Sequence, residues 1–522
     1  MIRRSLAAAL TPLLVSTVAA ACDFGASVPT VHVLAGSELK DMAPILSDLQ
    51  TATGYHMQLD YVGSLDGAEQ IVNGTNEDMA WFSTAKYLQL LPGGASKLVD
   101  SQQIMLSPVV LGVKHSVAQR FGWSGNPNVT WADIQARSKA GDFHFGMTNP
   151  TASNSGFVAL VGVAEALASP GAALNSGNIN IAGLQAFFNG QSLTAGSSGF
   201  LADSYVRQQD SVDGMINYES ILLSLNQGTT LHEKLDLIYP KDGIATADYP
   251  LMLLNRSQRP AYDKITAYLK RPDVQNKIMT TVNRRPGVPG IQPDSRFPSA
   301  VLIELPFPSS LDVVNQLLLA YLSKIRRPAH DIYVLDTSGS MQGSRLDSLK
   351  KAFLNLTGAD QSITGQFAQF QPREEVTILP FNGRVYDQRT FTVNDVSPNS
   401  PDLAAIRNYV NNLQAADGTA IYDAVFTGYQ VVQQSLPREP DRFFSIVLMT
   451  DGENNNGRDG AQFTNDYNRL PPEVRAVHTF PIVFGEASPS ELNAVAAATG
   501  GQVFDGRSAS LAQVFKQIRG YQ

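Results

Sequence analysis

The sequence predicts an α/β protein with parallel sheets, and three observations carry that prediction. The run Ile-Tyr-Val-Leu at 332–335 is too short for a helix and rich in branched and aromatic side chains, as a buried strand is. It breaks into Asp336-Thr-Ser338-Gly-Ser340, after which Leu346, Leu349, Phe353 and Leu356 follow at helical spacing. A second apolar run, 443–449, also ends in an acid, Thr450-Asp451-Gly452. Third, the first half alternates strand and helix patterns. A strand at 31–35 precedes a helix through Leu39, Met42, Leu46 and Leu49, with Pro44 marking a kink or a later start. A strand at 57–62 precedes a helix from near Asp66, and this alternation is that of a parallel sheet.

With 522 residues the chain is too long for one core, so two or three domains are expected. Its 43% hydrophobic and 16% charged residues are those of a globular protein. A net charge of −8 and the lack of a dense Lys/Arg cluster argue against a nucleic-acid partner.

The first 22 residues read as a processing segment. Arg3 and Arg4 precede an apolar stretch, 6–21, that is short and interrupted, and it ends in Ala19-Ala-Ala-Cys22. Cys22 is the only cysteine, so the chain cannot close an internal disulfide. Its setting resembles the lipobox of bacterial lipoproteins, with Ala19 where Leu is usual. The resemblance implies cleavage before Cys22, a lipid on its sulfur and an extracytoplasmic position; an ordinary signal peptide cut near Ala21, leaving a secreted protein, is the alternative. No other segment reads as a membrane span.

Further along, 105–113 reads as a long strand, and Thr130-Trp-Ala-Asp133 as a capped helix start. A strand at 143–147 empties into Thr148-Asn-Pro-Thr-Ala-Ser-Asn-Ser-Gly156, and 157–167 is helical. Hydroxyls and free backbone N–H groups at a helix start favour an anion or a polar acceptor. Another strand, 215–218, ends in Tyr218-Glu219-Ser220. Together with Leu34-Ala-Gly-Ser-Glu-Leu39, Tyr61-Val-Gly-Ser64 and Asn217-Tyr-Glu219, these stretches resemble bacterial extracellular solute-binding proteins. That resemblance implies two α/β lobes closing on a small solute, with the chain leaving lobe one near Ser107 and returning near Tyr239. Candidate contacts are Ser37, Ser64, Ser153, Asn154, Ser155 and Tyr218; capping and turn chemistry without a solute is the competing reading.

Residues 265–269 and 274–282 read as short helices, and a helix over 311–325 is apolar across a wide stripe and stops at Arg326-Arg327-Pro328. Such a helix is a packed strut, not a free linker. Beyond it, 376–379 and 390–393 are strand candidates around Asn382-Gly383, and 403–413 is a helix. Ser488-Pro-Ser-Glu491 carries every signal of a helix start, and 511–518 is a closing helix. Pro481 sits inside the apolar run 477–484, so that strand starts late, bulges or lies at an edge.

Asp336, Ser338 and Ser340 place a carboxylate and two hydroxyls on one turn at a strand's carboxyl end. Hard oxygens suit Mg²⁺ or a similar cation rather than zinc, although Asp, Ser and Gly are also plain turn residues. If the strands before Asp336 and Asp451 are parallel neighbours, both acids emerge at one edge, and Asp417-Gly418-Thr419 can join them from a loop. The ordered set resembles the von Willebrand factor A family, whose pattern is Asp-x-Ser-x-Ser, then Thr, then Asp. The resemblance implies a Rossmann-like domain with a mostly parallel central sheet. It implies a metal-ion-dependent adhesion site of Asp336, Ser338, Ser340, Thr419 and Asp451, holding Mg²⁺ (or Mn²⁺ or Ca²⁺) and a partner's acidic group. The chain thus divides into a leader (1–22), a solute-binding-like domain (30–308), a connecting helix (309–328) and an adhesion domain (329–522).

Enzyme readings fare badly. His232-Glu233 lacks a second His four residues on, where Asp236 stands, and the seven histidines are scattered. No phosphate loop or nucleophile elbow is present. Two functions are expected: metal-dependent recognition of a protein partner, or solute capture for a transport system with the metal domain as docking module.

Overall fold

The computed structural model describes residues 28–168, 174–298, 302–416, 418–507 and 510–522. The leader with Cys22, and Asp417, lie outside them. None of the described helices is long and apolar enough to cross a membrane.

The first domain opens with strands β1 (Thr30–Ala35), β2 (His56–Tyr61), β3 (Met79–Trp81) and β4 (Asp100–Gln103). After the first strand the chain makes a tight turn of helix, Ser37–Met42, and the α-helix proper starts at Ala43, with Pro44 in its first turn where no N–H is missed. The chain then enters a second sheet through β5 (Met105–Lys114), β6 (Phe145–Thr148), β7 (Gln191–Ala195), β8 (Gly214–Tyr218), β9 (Leu235–Ile238) and β10 (Ala245–Ala247). It returns through β11 (Pro250–Leu253), and the sheet orders are β2-β1-β3-β11-β4 and β10-β5-β8-β6-β7, with β9 and the two-residue β12 (Arg285–Pro286) also pairing with β5. The expected return near Tyr239 is thus corrected by about ten residues. β10 still pairs with β5, and β11 is the first strand back in lobe one. The outward crossing falls between Gln103 and Met105, close to the expected Ser107. Thr130 and Asp133 form the expected capping box.

The connecting helix Leu311–Ala320 runs into a wider π-helical turn, Tyr321–Ile325. Val314, Leu317, Leu318 and Tyr321 join the core of the first domain. Its end sits on lobe two: Tyr321 packs edge-on against Phe188 at 5.2 Å and donates to Gln191 Oε1 at 3.0 Å, while Gln185 donates to the Lys324 carbonyl.

The C-terminal domain is built on β13 (Ala329–Asp336), β14 (Glu374–Phe381), β15 (Arg389–Val393), β16 (Phe443–Thr450), β17 (His478–Val483) and β18 (Phe504–Asp505). Their order is β15-β14-β13-β16-β17-β18, and only β15 runs antiparallel. Helices cover both faces. Leu349, Phe353, Leu403, Ile406 and Phe515 fill one side, and Val425, Tyr429, Phe463 and Leu492 the other. Burial on both faces is why β13 and β16 read as continuous apolar runs. Pro481 does lie inside a strand, opposite Leu448 of β16. Its outer neighbour β18 is two residues long and begins opposite Ile482, so on that side there is no ladder bond for the proline to break. Ser488 does not make its expected cap bond; its hydroxyl pairs with Ser490 Oγ at 3.0 Å instead.

Arg519, on the closing helix Leu511–Arg519, reaches under the amino edge of this sheet. Its guanidinium donates to Asp331 Oδ2 at 2.6 Å and to Glu374 Oε2 at 2.7 Å, and Arg326 also pairs with Glu374. All four side chains are buried. Removing the central cation leaves two desolvated carboxylates sharing what remains. Arg519→Met should therefore lower stability by about 3–5 kcal/mol, read as a fall in denaturant midpoint.

The C-terminal domain also touches both lobes. On lobe one, Glu69 of helix Ser64–Asn73 accepts from the Thr364 N–H at 3.1 Å and from its hydroxyl, and Lys516 lies 3.2 Å from Asp66. On lobe two, Phe200 packs against Tyr521 at 5.1 Å and edge-on to His478 at 5.7 Å. Burial, and secondly Arg207, hold the His478 pKa down to about 4 from 6.5. The unfolded chain binds that proton more readily, so the stability it contributes is full above the unfolded pKa and lost as pH falls towards 4. Chemical denaturation of His478→Gln between neutral and acidic pH should show a shallower acid loss than wild type.

Candidate metal centre and cleft

Parallel pairing of β13 with β16 sets Leu335 opposite Met449, so Asp336 and Asp451 leave the sheet at the same carboxyl edge. Each side chain then has a defined tie. Asp336 Oδ1 accepts from the Ser338 N–H at 2.7 Å, and its Oδ2 from Thr450 Oγ1 at 2.6 Å. Ser338 Oγ lies 3.0 Å from Ser340 Oγ, which donates to Asp451 Oδ1 at 2.7 Å. Thr419 precedes helix Ile421–Ser435 and is held by a two-way link: its N–H donates to Asn455 Oδ1 at 2.8 Å and its carbonyl accepts from the Asn455 N–H at 2.9 Å. A methyl group placed on Gly452 would lie 3.7 Å from Ser340 Oγ and 3.8 Å from Thr419 Oγ1, so both hydroxyls face one spot. The structure therefore brings the five residues together. Ser340 is exposed while Asp336, Ser338, Thr419 and Asp451 are buried, which leaves the cluster open to solvent on one side.

The donor set is carboxylate and hydroxyl oxygen only, which fits a hard divalent cation. Burial pushes the Asp336 carboxyl up to about 6; hydrogen bonds from Thr450 and Ser338 oppose this and the Asp451 charge adds to it. A bound cation would relieve that cost directly.

Sequence reasoning missed three contributors. Thr450 reads in the sequence only as part of a strand end, yet it orients Asp336. Glu491 serves no cap; it accepts from the Asn454 N–H at 3.2 Å and so steadies the loop after β16. Arg345, in the first turn of helix Ser344–Leu354, donates to Asp451 Oδ2 at 2.6 Å. No local pattern marks it, because its partner is 106 residues away.

Where the two lobes meet the C-terminal domain lies a cavity of about 390 Å³, open to solvent on one side. Ser37, Ser64, Ser153 and Asn154 line it. Ser155 and Tyr218 do not, which corrects those two expectations. Ser155 is fully buried and spends its hydroxyl on Thr148 and Ser198, each at 2.8 Å. The Tyr218 phenol lies beneath the lining and accepts from Asn154 Nδ2 at 3.3 Å. Glu38, part of the quoted strand-end motif, does line the cavity, and its Oε1 is shielded from solvent and meets no donor. Burial pushes its carboxyl pKa up, with Arg284 opposing.

Residues 31–280 match the family model of bacterial extracellular solute-binding protein, and residues 331–517 that of the von Willebrand factor type A domain. The chain carries these two domains, in that order. Inter-alpha-trypsin inhibitor heavy chain H4 of Sus scrofa is 26% identical over 129 residues, 24% of this chain and 12% of that protein. The uncharacterized protein sll0103 of Synechocystis is 30% identical over 132 residues, 25% of this chain and 27% of that one. The match thus spans about an eighth to a quarter of those relatives' length. Among solved structures, the periplasmic binding protein AfuA of Actinobacillus pleuropneumoniae, bound to fructose-6-phosphate, has a TM-score of 0.44 at 12% identity over 57% of this chain and 98% of its own. A von Willebrand factor type A protein of Catenulispora acidiphila has a TM-score of 0.29 at 17% identity over 37% and 42%. Solute-binding and von Willebrand factor A domains are binding modules, the second a metal-dependent protein-interaction module.

The guanidinium beside Asp451 repels any cation at this edge. Arg345→Ala should tighten Mg²⁺ binding by roughly three- to tenfold, measured by titration calorimetry.

Proposed function

We propose that this is an extracytoplasmic binding protein that recognises a protein partner through a divalent cation at the carboxyl edge of its C-terminal sheet. The observation that carries the reading is the convergence of Asp336, Ser338, Ser340, Thr419 and Asp451, supplied by three separate stretches, with exposed Ser340 at its mouth. In this reading the five oxygen-bearing side chains hold Mg²⁺, or Mn²⁺ or Ca²⁺, and a bound cation offers its remaining position to a carboxylate of the partner. Thr450 and the Ser338 N–H keep Asp336 oriented, and Arg345 partly neutralises Asp451. The role is binding, not catalysis. Attachment to the membrane is through a lipid on Cys22, with plain secretion as the alternative; no nucleic acid is involved.

A second reading has its own support in the cavity where the lobes meet the C-terminal domain: capture of a small solute for a transport system, with the metal domain as docking module.

Asp336→Ala should abolish the rise in melting temperature that Mg²⁺ gives the wild type and should abolish magnesium-dependent capture of the partner from a membrane extract. A variant that still captures the same partner in chelator would overturn the reading.

A further inference from the structure

A second group of metal-ligating side chains lies on lobe one, in a different domain from the oxygen cluster around Asp336. It comes from three neighbouring stretches of one sheet: His32 on β1, Asp60 on β2 and Glu77 in the loop leading into β3. One ring nitrogen or carboxylate oxygen from each lies within 4.8 Å of the other two. His32 Nδ1 is 3.9 Å from Asp60 Oδ2.

The sheet itself produces this meeting. β1 and β2 run parallel, with His32 opposite Gln58 and Leu34 opposite Asp60. Residues two apart on a strand share a face, so His32 and Asp60 are diagonal neighbours on one face. β3 flanks β1 on the other side, and a two-way link fixes its approach. The Asp78 N–H donates to the His32 carbonyl at 3.0 Å, and Asp78 Oδ2 accepts from the His32 N–H at 3.2 Å. Asn255 Nδ2 donates to the second Asp78 oxygen at 3.0 Å. Asp78 is thereby spent on holding the loop, and Glu77 beside it is the carboxylate that joins His32 and Asp60. The backbone of all three positions is anchored, while the exposed His32 and Asp60 side chains are free to turn.

The negative charge gathered here is poorly compensated. Among the described residues neither Asp60 nor Glu77 pairs with a Lys or Arg, and His32 is the one basic group acting on Glu77. Burial first, and then the Asp60 charge, raise the Glu77 carboxyl pKa. Glu77 Oε2 is shielded from solvent and accepts no hydrogen bond, an arrangement that costs free energy until something positive answers it.

We propose that His32, Asp60 and Glu77 form a second metal site, which takes a borderline divalent transition cation such as Zn²⁺ in preference to Mg²⁺. One imidazole nitrogen and two carboxylates are a zinc donor set, with bonds of about 2.0–2.2 Å, so ligand atoms around one ion stand about 3–4 Å apart. The three side chains therefore close by about an ångström on the ion, which His32 and Asp60 can do by rotation. Three protein ligands leave a position at the surface for water or another donor. The nitrogen is what separates this site from the all-oxygen cluster of the C-terminal domain, which suits a harder ion. A cation here ties β1, β2 and the entry to β3 together, and so stabilises lobe one. The proposal does not depend on the adhesion reading, since it shares no residue with it.

The test uses the full chain with Cys22→Ser, which removes its one thiol, and Asp336→Ala, which removes a carboxylate of the other cluster. Titrating the metal-free protein with Zn²⁺ by calorimetry should show one equivalent bound, and Zn²⁺ should raise its melting temperature. His32→Ala and Asp60→Asn, both at exposed positions, should each weaken Zn²⁺ binding about tenfold or more and leave melting in chelator unchanged. Excess Mg²⁺ should not displace the zinc. Zinc affinity unaltered by both substitutions, no stoichiometric binding by the parent, or ready displacement by Mg²⁺ would each overturn the site. Because Asp336 is absent from every protein compared, failure here says nothing against the adhesion reading.

Discussion

Four buried charges at the amino edge of the C-terminal sheet hold the molecule's architecture together. Arg519 stands between Asp331 and Glu374, and Arg326 shares Glu374. Each ion has lost its water, so each depends on the others for compensation. They come from four elements: the end of the connecting helix, the starts of β13 and β14, and the closing helix. Because Arg326 ends a helix seated on lobe two, satisfying these charges also sets how the sheet sits on that lobe. The Gln522 carbonyl, accepting from Arg326 at 3.2 Å, draws the last residues into the same knot. That is what delivers Lys516 and Tyr521 to the mouth of the cleft.

The two clusters solve different problems with the same atoms. At the carboxyl edge each oxygen of Asp336 and Asp451 accepts a hydrogen bond, yet burial leaves Asp336 costly to ionise. Beneath the cavity, hydroxyls satisfy one another, as Ser155 does with Thr148 and Ser198. The first arrangement asks for a positive charge; the second is already closed on itself.

Much of the fold was legible because its signals are local. The apolar runs that became β13 and β16 are continuous because helices cover both faces, and the Thr130–Asp133 box is complete within four residues. The meeting of Asp336 and Asp451 at one edge was legible for a related reason: a parallel sheet places acids at successive strand ends side by side, so order along the chain stands in for position in space. What the chain did not reveal depends on tertiary contact. Ser155 and Tyr218 belong to the right motifs but face inward, a distinction of one helical step or one strand side that a motif cannot state. Arg345 and Glu38 matter through what lies opposite them. The return to lobe one was placed early because β10 is a three-residue strand with no pattern of its own.

β13 runs from the charge knot to the metal edge. From Asp331 to Asp336 is five residues of extended chain, about 17 Å at a strand's usual rise. The buried charge knot and the oxygen cluster therefore lie at opposite rims of one sheet, joined by a single strand. A partner held at Asp336 would thus leave the buried charges around Asp331 untouched, and the knot that seats the domain need not yield when the oxygen cluster is engaged.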